Sequence, residues 1–222
     1  MLLAIDNVLT VEEVRTVRTQ IETLDFADGT KTAGPGSRSR KNNLQLADDE
    51  RTQAVRGFVR DALLRHQLFQ FLALPQRIMT PMFNRYDVGM YYQDHVDFPL
   101  LGPPPPMRAD LSVTLFLSAP EEYDGGELVI RTGYGDQTVK LPSGAAVVYP
   151  AYYIHHVEPV RRGARLAAIT TVQSAIREEP KRDLVADLVR LMRWVQDVAP
   201  QSEEARLVNK IHANLIRLWA ET

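Results

Sequence analysis

Apolar residues in the first part of the chain recur at helical spacing. Thr10 and Glu13 have the form of a capping box, and apolar side chains follow every three or four positions, at Val14, Val17, Ile21 and Leu24. A second helical pattern runs over residues 48–74 and ends before Pro75. We expect two helices here, joined by a long polar loop over residues 27–43.

The pattern changes to period two after Pro75. In DLSVTLFLS, residues 110–118, apolar side chains occupy alternate positions, which predicts a strand with a buried face. Further strand-like segments follow, separated by glycine- and proline-containing turns: ELVIRT, QTVKL, AAVVYPAYYIHHVEPV and RLAAITTVQS. Closely spaced short strands indicate a barrel or a sandwich.

The helical period returns beyond residue 177. An apolar stripe then runs on either side of a break at Pro200, through Leu184, Leu188, Leu191, Val195, Leu207, Ile211, Leu215 and Leu218. We therefore expect a main domain over residues 1–177 and a C-terminal helical extension, a hairpin, over residues 178–222. Its stripe would pack on the domain's own sheet or, in the alternative, form a homodimer surface.

The composition of the chain limits which partners it binds and which kinds of metal site it can form. The formal net charge of the 222 residues is −2, so no global charge attracts nucleic acid or an anionic membrane. The absence of cysteine excludes disulfides and thiolate metal sites. The N-terminal sequence has no pattern of a signal peptide or membrane span, and we expect a cytoplasmic protein that binds neither nucleic acid nor membrane.

Two histidine-containing stretches could form a metal site. His95 and Asp97 lie two positions apart in YYQDHVDFPL, so an extended backbone turns both side chains to one face. A third ligand would come from His155 or His156, on a later strand of the same expected sheet. Two histidines and one carboxylate form the facial triad of non-haem Fe(II) oxygenases, and the same ligands could hold zinc.

The segment YDVGMYYQDHVD, residues 86–97, resembles the Y-x-x-G-x-x-Y-x-x-H-x-D signature of prolyl-hydroxylase-like 2-oxoglutarate dioxygenases. The segments KNN, FNRY, YDGGEL, VKLPSG and VVYP extend the resemblance over nearly the whole chain, to the bacterial PKHD-type hydroxylases. It implies a mainly β, α+β fold: a double-stranded β-helix, or jelly-roll, core with N-terminal helices and a C-terminal helical hairpin.

The resemblance also implies site residues. Family members carry an arginine or lysine ten residues after the second histidine, where it binds the distal carboxylate of 2-oxoglutarate. Arg165 stands ten residues after His155, whereas Leu166 stands ten after His156, so we choose His155 as the third ligand. Tyr86 is the second residue expected to bind the cosubstrate.

The cofactors implied by the family are Fe(II), 2-oxoglutarate and L-ascorbate. The partners are O2 and a small-molecule or peptidyl substrate that the sequence does not identify, with a link to iron uptake or homeostasis. Two rival functions use the same ligands: a non-catalytic, cupin-like metal-binding protein, or a zinc hydrolase, which would need a base beside the metal-bound water.

Two loops have open roles. The basic stretch with Arg38, Arg40, Lys41, Asn42 and Asn43 is expected to be solvated, and the alternative is contact with an acidic or polar substrate near the mouth of the site. Residues 103–106, four consecutive prolines, would form a rigid connector or one wall of the substrate entrance.

Overall fold

The helices lie at both ends of the chain. The computed structural model describes residues 2–32, 38–47 and 49–221. Its helices are α1 Val11–Glu22, α2 Glu50–Arg65, α3 Gln67–Ala73, α4 Glu179–Val198 and α5 Glu203–Trp219. Short 3₁₀ helices span Gly29–Thr32, Arg38–Arg40 and Pro120–Glu122. The capping box of α1 is confirmed, because Thr10 and Glu13 each accept a hydrogen bond from the other's backbone N–H.

The strands are short, and all their pairings are antiparallel. They are β1 Leu3–Ile5, β2 Phe26–Asp28, β3 Lys41–Asn42, β4 Leu44–Leu46, β5 Pro75–Ile78, β6 Met82–Tyr86, β7 Tyr91–His95, β8 Leu100–Leu101, β9 Met107–Arg108, β10 Leu111–Phe116, β11 Tyr123–Gly125, β12 Leu128–Thr132, β13 Gly135–Val139, β14 Ala146–Pro150, β15 His155–Val157, β16 Val160–Gly163 and β17 Arg165–Ser174.

Two sheets face each other across a shared core. The major sheet has the order β1-β14-β10-β17-β6-β4-β2, with β5 also paired to β17. The minor sheet has the order β13-β12-β15-β7-β3. One apolar cluster joins the two sheets, with Phe116 and Val147 from the major sheet and Ile130 and Val157 from the minor sheet. This arrangement confirms the expected jelly-roll core.

The three N-terminal helices cover the outer face of the major sheet. A second core cluster packs Val17 of α1 and Val59 of α2 against Val113 and Leu115 of β10. Because β10 lies between the helices and the minor sheet, both of its faces are buried, whereas its sequence pattern predicts one. Its polar residues Ser112 and Thr114 therefore point between the two sheets.

The second helical segment is broken where the sequence predicts one helix. His66 has an extended backbone and separates α2 from α3. Leu74, with a left-handed φ of 45°, ends α3 before Pro75, because a proline disfavours helical geometry at the preceding residue. The expected start near Asp48 lies outside the described residues, and Asp49 caps α2 instead.

The segment 27–43, which the composition predicts as one polar loop, contains short regular elements. It includes the end of β2, two 3₁₀ helices and β3, which pairs with β7. Residues 33–37 of this segment lie outside the described part. Strands of two or three residues are too short to show a period in the sequence, and backbone pairing with a longer strand stabilises them.

The C-terminal helices form the expected hairpin, but the predicted stripe is not its packed face. Val185, Ala186 and Val189 of α4 are buried against Leu72 of α3 and Ile176. Most of the stripe is instead open to solvent: Leu184, Leu191, Leu207, Ile211 and Leu218 are exposed and Val195 is buried. Within the described ranges, no helix combines the length and apolar character that a membrane crossing requires.

Candidate metal centre

Adjacent strands of the minor sheet bring the candidate ligands together. β7 pairs with β15 and places His95 directly opposite His155, and Asp97 follows the end of β7. One ligand atom from each of these three side chains lies within 4.8 Å of the others. The Nε2 atom of His155 is 3.9 Å from Oδ1 of Asp97. In the part of the chain that the structure describes, no other group of three or more His, Asp or Glu side chains brings one ligand atom from each this close together.

The same kind of hydrogen bond to the backbone orients His95 and His155. The Nδ1 atom of His95 lies 2.9 Å from the carbonyl oxygen of Gln93, and Nδ1 of His155 lies 2.9 Å from that of Tyr153. A carbonyl oxygen only accepts, so Nδ1 carries the hydrogen in each ring. The lone pair on each Nε2 is therefore free to bind a metal ion, the arrangement usual for metal-binding histidines.

The electrostatics of the cluster suit a cation. Burial, followed by the proximity of His155, lowers the pKa of His95 to about 4, so this imidazole is neutral at neutral pH. Neutral imidazoles and an ionised carboxylate are the protonation states that bind metal. The Tyr149 ring packs edge-on to His155, with 5.1 Å between the ring centroids, and holds it from the side of the major sheet.

Ser112 was not among the residues identified from the sequence. Its buried hydroxyl donates a hydrogen bond to Oδ2 of Asp97, which leaves Oδ1 facing His155. Its position in the sequence contained a signal, because Ser112 is one of the polar positions that interrupt the apolar strand DLSVTLFLS. A buried hydroxyl of this kind orients a metal-binding carboxylate.

The side chain of His156 faces away from His95 and His155. Its Nδ1 lies 2.9 Å from Oδ1 of Asp94, and its Nε2 lies 3.2 Å from Oε1 of Glu158. Asp94 also pairs with Arg131 at 2.5 Å. Both nitrogens of His156 are thus engaged on the outer face of the sheet, and the structure brings His155, not His156, to His95 and Asp97.

Arg165 and Tyr86 lie next to each other on the major sheet. β17 pairs with β6 in a register that places Arg165 opposite Tyr86, and the guanidinium carbon lies 5.3 Å from the Tyr86 ring centroid and 5.4 Å from that of Phe116. Burial raises the pKa of Tyr86 to about 12, so its phenol is neutral. A Cβ on Gly126 would lie 3.2 Å from Cδ of Arg165, so glycine leaves room for the side chain.

The Arg165 guanidinium is fully buried and lacks hydrogen-bond partners. None of its three nitrogen atoms has one among the described residues, and neither has the nearby Tyr123 hydroxyl. A buried cation without a partner costs several kcal/mol, and a bidentate carboxylate is the group that best matches a guanidinium. These residues fit a cosubstrate with a free carboxylate.

Lys41 and Asn43 are buried, so the expectation of a solvated basic loop is wrong for them. Lys41 donates a hydrogen bond to Oγ1 of Thr32 at 3.0 Å, and burial lowers its pKa to about 8. Arg40 and Asn42 are exposed as expected, and the side chain of Arg38 lies outside the described part. The pairing of β3 with β7, which short-range pattern does not predict, explains the difference.

The prolines form the expected connector. Residues 102–106 join β8 to β9, which pair with each other, and the segment is exposed. Arg77 donates to the carbonyl oxygens of Pro105 and Pro106. A role in the substrate entrance stays a prediction.

Fold and site together define the class of protein. The sequence profile of the 2OG-Fe(II) oxygenase superfamily matches residues 81–172, which include His95, Asp97, His155 and Arg165. A Trichoplax adhaerens prolyl hydroxylase, solved with a hypoxia-inducible-factor peptide, superposes with a TM-score of 0.60 at 15% identity, covering 82% of this chain and 86% of that one. HygX from Streptomyces hygroscopicus, solved with nickel and 2-oxoglutarate, gives a TM-score of 0.54 at 18% identity, covering 80% and 84%.

Relatives with higher identity narrow the class to a family. A PKHD-type hydroxylase of Acaryochloris marina is 44% identical over 222 residues, and one of Cupriavidus metallidurans is 44% identical over 228 residues. Each alignment covers 100% of both chains. The chain therefore belongs to the PKHD-type hydroxylases.

Proposed function

We propose that this protein hydroxylates its substrate with Fe(II) and 2-oxoglutarate, and that His95, Asp97 and His155 are the iron ligands. The proposal is supported by the geometry of the three side chains, with two free Nε2 atoms and one carboxylate facing a common point. When bound, iron and 2-oxoglutarate supply the activation of O2 for attack on a C–H bond.

The buried, unpaired Arg165 guanidinium is the observation that carries the proposal. We infer that Arg165 would hold the distal carboxylate of 2-oxoglutarate, since a guanidinium presents a planar fork of N–H donors that matches a carboxylate. The Tyr86 phenol, kept neutral by burial, would donate a hydrogen bond to the same cosubstrate. Phe116 and Tyr86 exclude water around the guanidinium and strengthen its pairing with a carboxylate.

The rival functions do not need this residue. A metal store of cupin type binds its ion through the three ligands alone, and a zinc hydrolase requires a general base beside the metal rather than a buried carboxylate clamp. A guanidinium buried at this cost is explained by a dianionic cosubstrate and by neither alternative.

Anaerobic reconstitution tests the proposal. The protein is loaded with Fe(II), 2-oxoglutarate is added, and the visible metal-to-ligand charge-transfer band of a bidentate keto-acid chelate is measured. We expect the band in the wild type and in Asp94→Ala, and its loss in Asp97→Ala. Asp94 is the matched control because it lies on the same strand with its carboxylate on the outer face. Stoichiometric iron binding without the band would favour the rival functions.

The substrate class, the additional cofactor and the cellular setting are proposed on other grounds. Among similar folds, one structure is of a prolyl hydroxylase with a peptide and another is of HygX with hygromycin B bound, and we propose a peptidyl or small-molecule substrate here as well. Ascorbate as the iron reductant and a link to iron uptake rest on the family resemblance. A cytoplasmic location is proposed from the sequence, and the lack of cysteine is compatible with a reducing compartment.

We further propose that residues 178–222 form an extension that pairs with a second copy of the chain. The apolar groove between α4 and α5 is lined by Leu184, Leu188, Leu191, Ile211, Leu215 and Trp219, with Asp187 at its edge. Trp194 and Leu218 extend the surface and are 62% and 75% exposed. A two-fold pairing covers the same patch on both copies, and a patch of this kind on a monomer is unusual.

Analytical ultracentrifugation of the wild type and of Leu191→Glu tests the pairing. We expect a dimer in the wild type and a shift to monomer in the variant, with Val88→Glu, an exposed apolar residue on the main domain, as the unchanged control. A wild type that stays monomeric at high micromolar concentration would contradict the proposal.

A further inference from the structure

Lys41 is a buried cation at the edge of the minor sheet. The register of β3 and β7 places it opposite Tyr92, whose ring stacks on the His95 ring with 3.6 Å between centroids. The extended backbone turns Lys41 and Asn43 inward and Asn42 outward. Lys41 is 8% exposed and packs against Tyr92, the ring that stacks on His95, rather than lying in the solvated surface.

The ammonium group of Lys41 has fewer partners than donors. It carries three N–H groups, and among the described residues it donates one hydrogen bond, to the neutral hydroxyl of Thr32. The ammonium nitrogen also lies 5.2 Å from the centroid of the Tyr92 ring. Asp28 and Asp97 raise its pKa through their charge, yet no carboxylate in the described ranges forms an ion pair with it. A charge buried in this way is costly unless something pairs with it.

The charges of the loaded centre leave Lys41 unmatched. A divalent metal ion and Arg165 together contribute three positive charges. Asp97 and a doubly ionised 2-oxoglutarate contribute three negative charges and balance them. Each histidine ligand donates its Nδ1 hydrogen to a backbone carbonyl and offers Nε2 to the metal, so neither adds a charge. Lys41 is therefore not needed to balance the loaded centre. Asp28 offsets its charge without forming an ion pair, and the remaining component of the reaction is the substrate.

We propose that Lys41 binds the substrate, and that the substrate carries a carboxylate that accepts a hydrogen bond from the Lys41 ammonium group. This inference rests on the proposed function, since it assigns the substrate side of the same site. Arg165 does not compete for this carboxylate because it lies between Tyr86 and Phe116 on the major sheet. A small carboxylic acid and an acidic peptide side chain present the same group to Lys41.

The test observes the lysine directly. The chain has five lysines, so selective ¹⁵N labelling of lysine side chains gives a spectrum that single substitutions assign. The protein is loaded with Zn(II), which does not react with O2, and with 2-oxoglutarate. N-acetylglycine probes a small acid, and a blocked Gly-Glu-Gly peptide probes a peptide side chain. Their neutral partners are N-acetylglycinamide and the Gly-Gln-Gly peptide.

We expect one of the two acids, N-acetylglycine or the Gly-Glu-Gly peptide, to shift the Lys41 resonance saturably. Its neutral partner should leave the resonance unchanged. The carboxylate that binds more tightly identifies the source of the substrate. Lys140, which donates to the carbonyl oxygen of Tyr123, serves as the internal control and should not shift. No shift at Lys41 with either acid, or an equal shift with the neutral partner, would overturn the inference.

Variants separate substrate binding from a structural role. In the anaerobic Fe(II) and 2-oxoglutarate complex of Lys41→Met, the charge-transfer band should form as in the wild type, because the iron ligands and Arg165 are unchanged. The affinity for the acid, read from its perturbation of the band, should fall about tenfold, the effect of losing one charged hydrogen bond. Lys41→Arg should recover part of it, since the charge is retained.

Different results would contradict the proposed function and the proposed role of Lys41. If the wild type forms no band, the proposed function fails whatever Lys41 does. If the band forms while the affinity for the acid is the same in the wild type and Lys41→Met, only the role of Lys41 fails. A Lys41→Met protein that unfolds leaves the lysine spectrum of the wild type as the deciding result.

Discussion

The two faces of the minor sheet carry the same kinds of side chain in opposite settings. The inner cluster is His95, Asp97 and His155, and the outer cluster is Asp94, His156 and Glu158. Each inner histidine gives its Nδ1 hydrogen to a backbone carbonyl and keeps Nε2 free. His156, in the outer cluster, has both nitrogens engaged by carboxylates.

The difference shows that residue type and proximity do not by themselves make a metal site. His155 and His156 are consecutive, and both lie near an aspartate, but alternation along β15 sends them to opposite faces. The inner face is covered by the major sheet, and there one ligand atom from each of His95, Asp97 and His155 lies within 4.8 Å of the others. The outer face is open to solvent, and there Asp94 and Glu158 engage the two nitrogens of His156 while Arg131 pairs with Asp94.

The largest effect is expected from replacing each of the two consecutive histidines by alanine in turn. His155→Ala removes an iron ligand and should lower the affinity for Fe(II) by more than about 100-fold, since loss of a supporting residue alone costs 10- to 100-fold. His156→Ala should leave the affinity within a factor of about two. Anaerobic titration with Fe(II) measures both, and the reverse order would move the centre to the outer face.

A slightly smaller effect is expected at the cosubstrate pocket. Arg165→Ala should weaken 2-oxoglutarate binding by about 100-fold, the loss of a bidentate charged pair, without displacing the iron. The control is Arg162→Ala, whose guanidinium is exposed and pairs with Asp124. Titration of the charge-transfer band gives the affinity, and loss of iron before loss of 2-oxoglutarate binding would show that Arg165 has been assigned the wrong role.

Ser112→Ala probes the support of the inner carboxylate. Without the donated hydrogen bond Asp97 is free to rotate, and we expect Fe(II) affinity to fall by about tenfold. Ser118→Ala is a matched control, because this buried serine bonds to the backbone of Ala164 and Leu166 instead. Equal loss of iron affinity in the two variants would mean that the effect comes from general loosening of the core.

The smallest effect is expected from dismantling the outer cluster. Asp94→Ala removes partners of His156 and Arg131 on an exposed surface, and the free energy of unfolding should fall by no more than about 1 kcal/mol. Urea denaturation of the metal-free protein measures it. A loss of several kcal/mol would show that the outer cluster holds the sheet together, contrary to the comparison.

The sequence was informative where a short pattern maps to one geometry. The segment with His95 and Asp97 has a spacing that any strand converts into two side chains on one face. The capping box of α1 is equally local, because Thr10 and Glu13 contact each other within one turn. The ten-residue step from His155 to Arg165 came from the family resemblance, and the structure places both side chains in the interior.

Prediction from sequence was weaker where distant segments decide the outcome. Lys41 stands in a polar, glycine-containing stretch that indicates a solvated loop, and only pairing with β7 makes it a buried residue. The stripe with Leu191 and Leu218 indicates a packed face, but α4 uses Val185 and Val189 for that purpose. A helix with apolar residues on more than one side cannot reveal from its period which side is covered.

The sequence by itself determined most of the helices, the longer strands and the residue types of the metal centre, because these depend on local period and on a contiguous motif. The jelly-roll class came from the family resemblance. The tertiary structure alone decided that Ser112 supports Asp97, that Lys41 lies beside the metal ligands, and that the leucine stripe is exposed. These properties depend on which strand or helix covers each side chain, and contacts between segments far apart in the chain have no local signature.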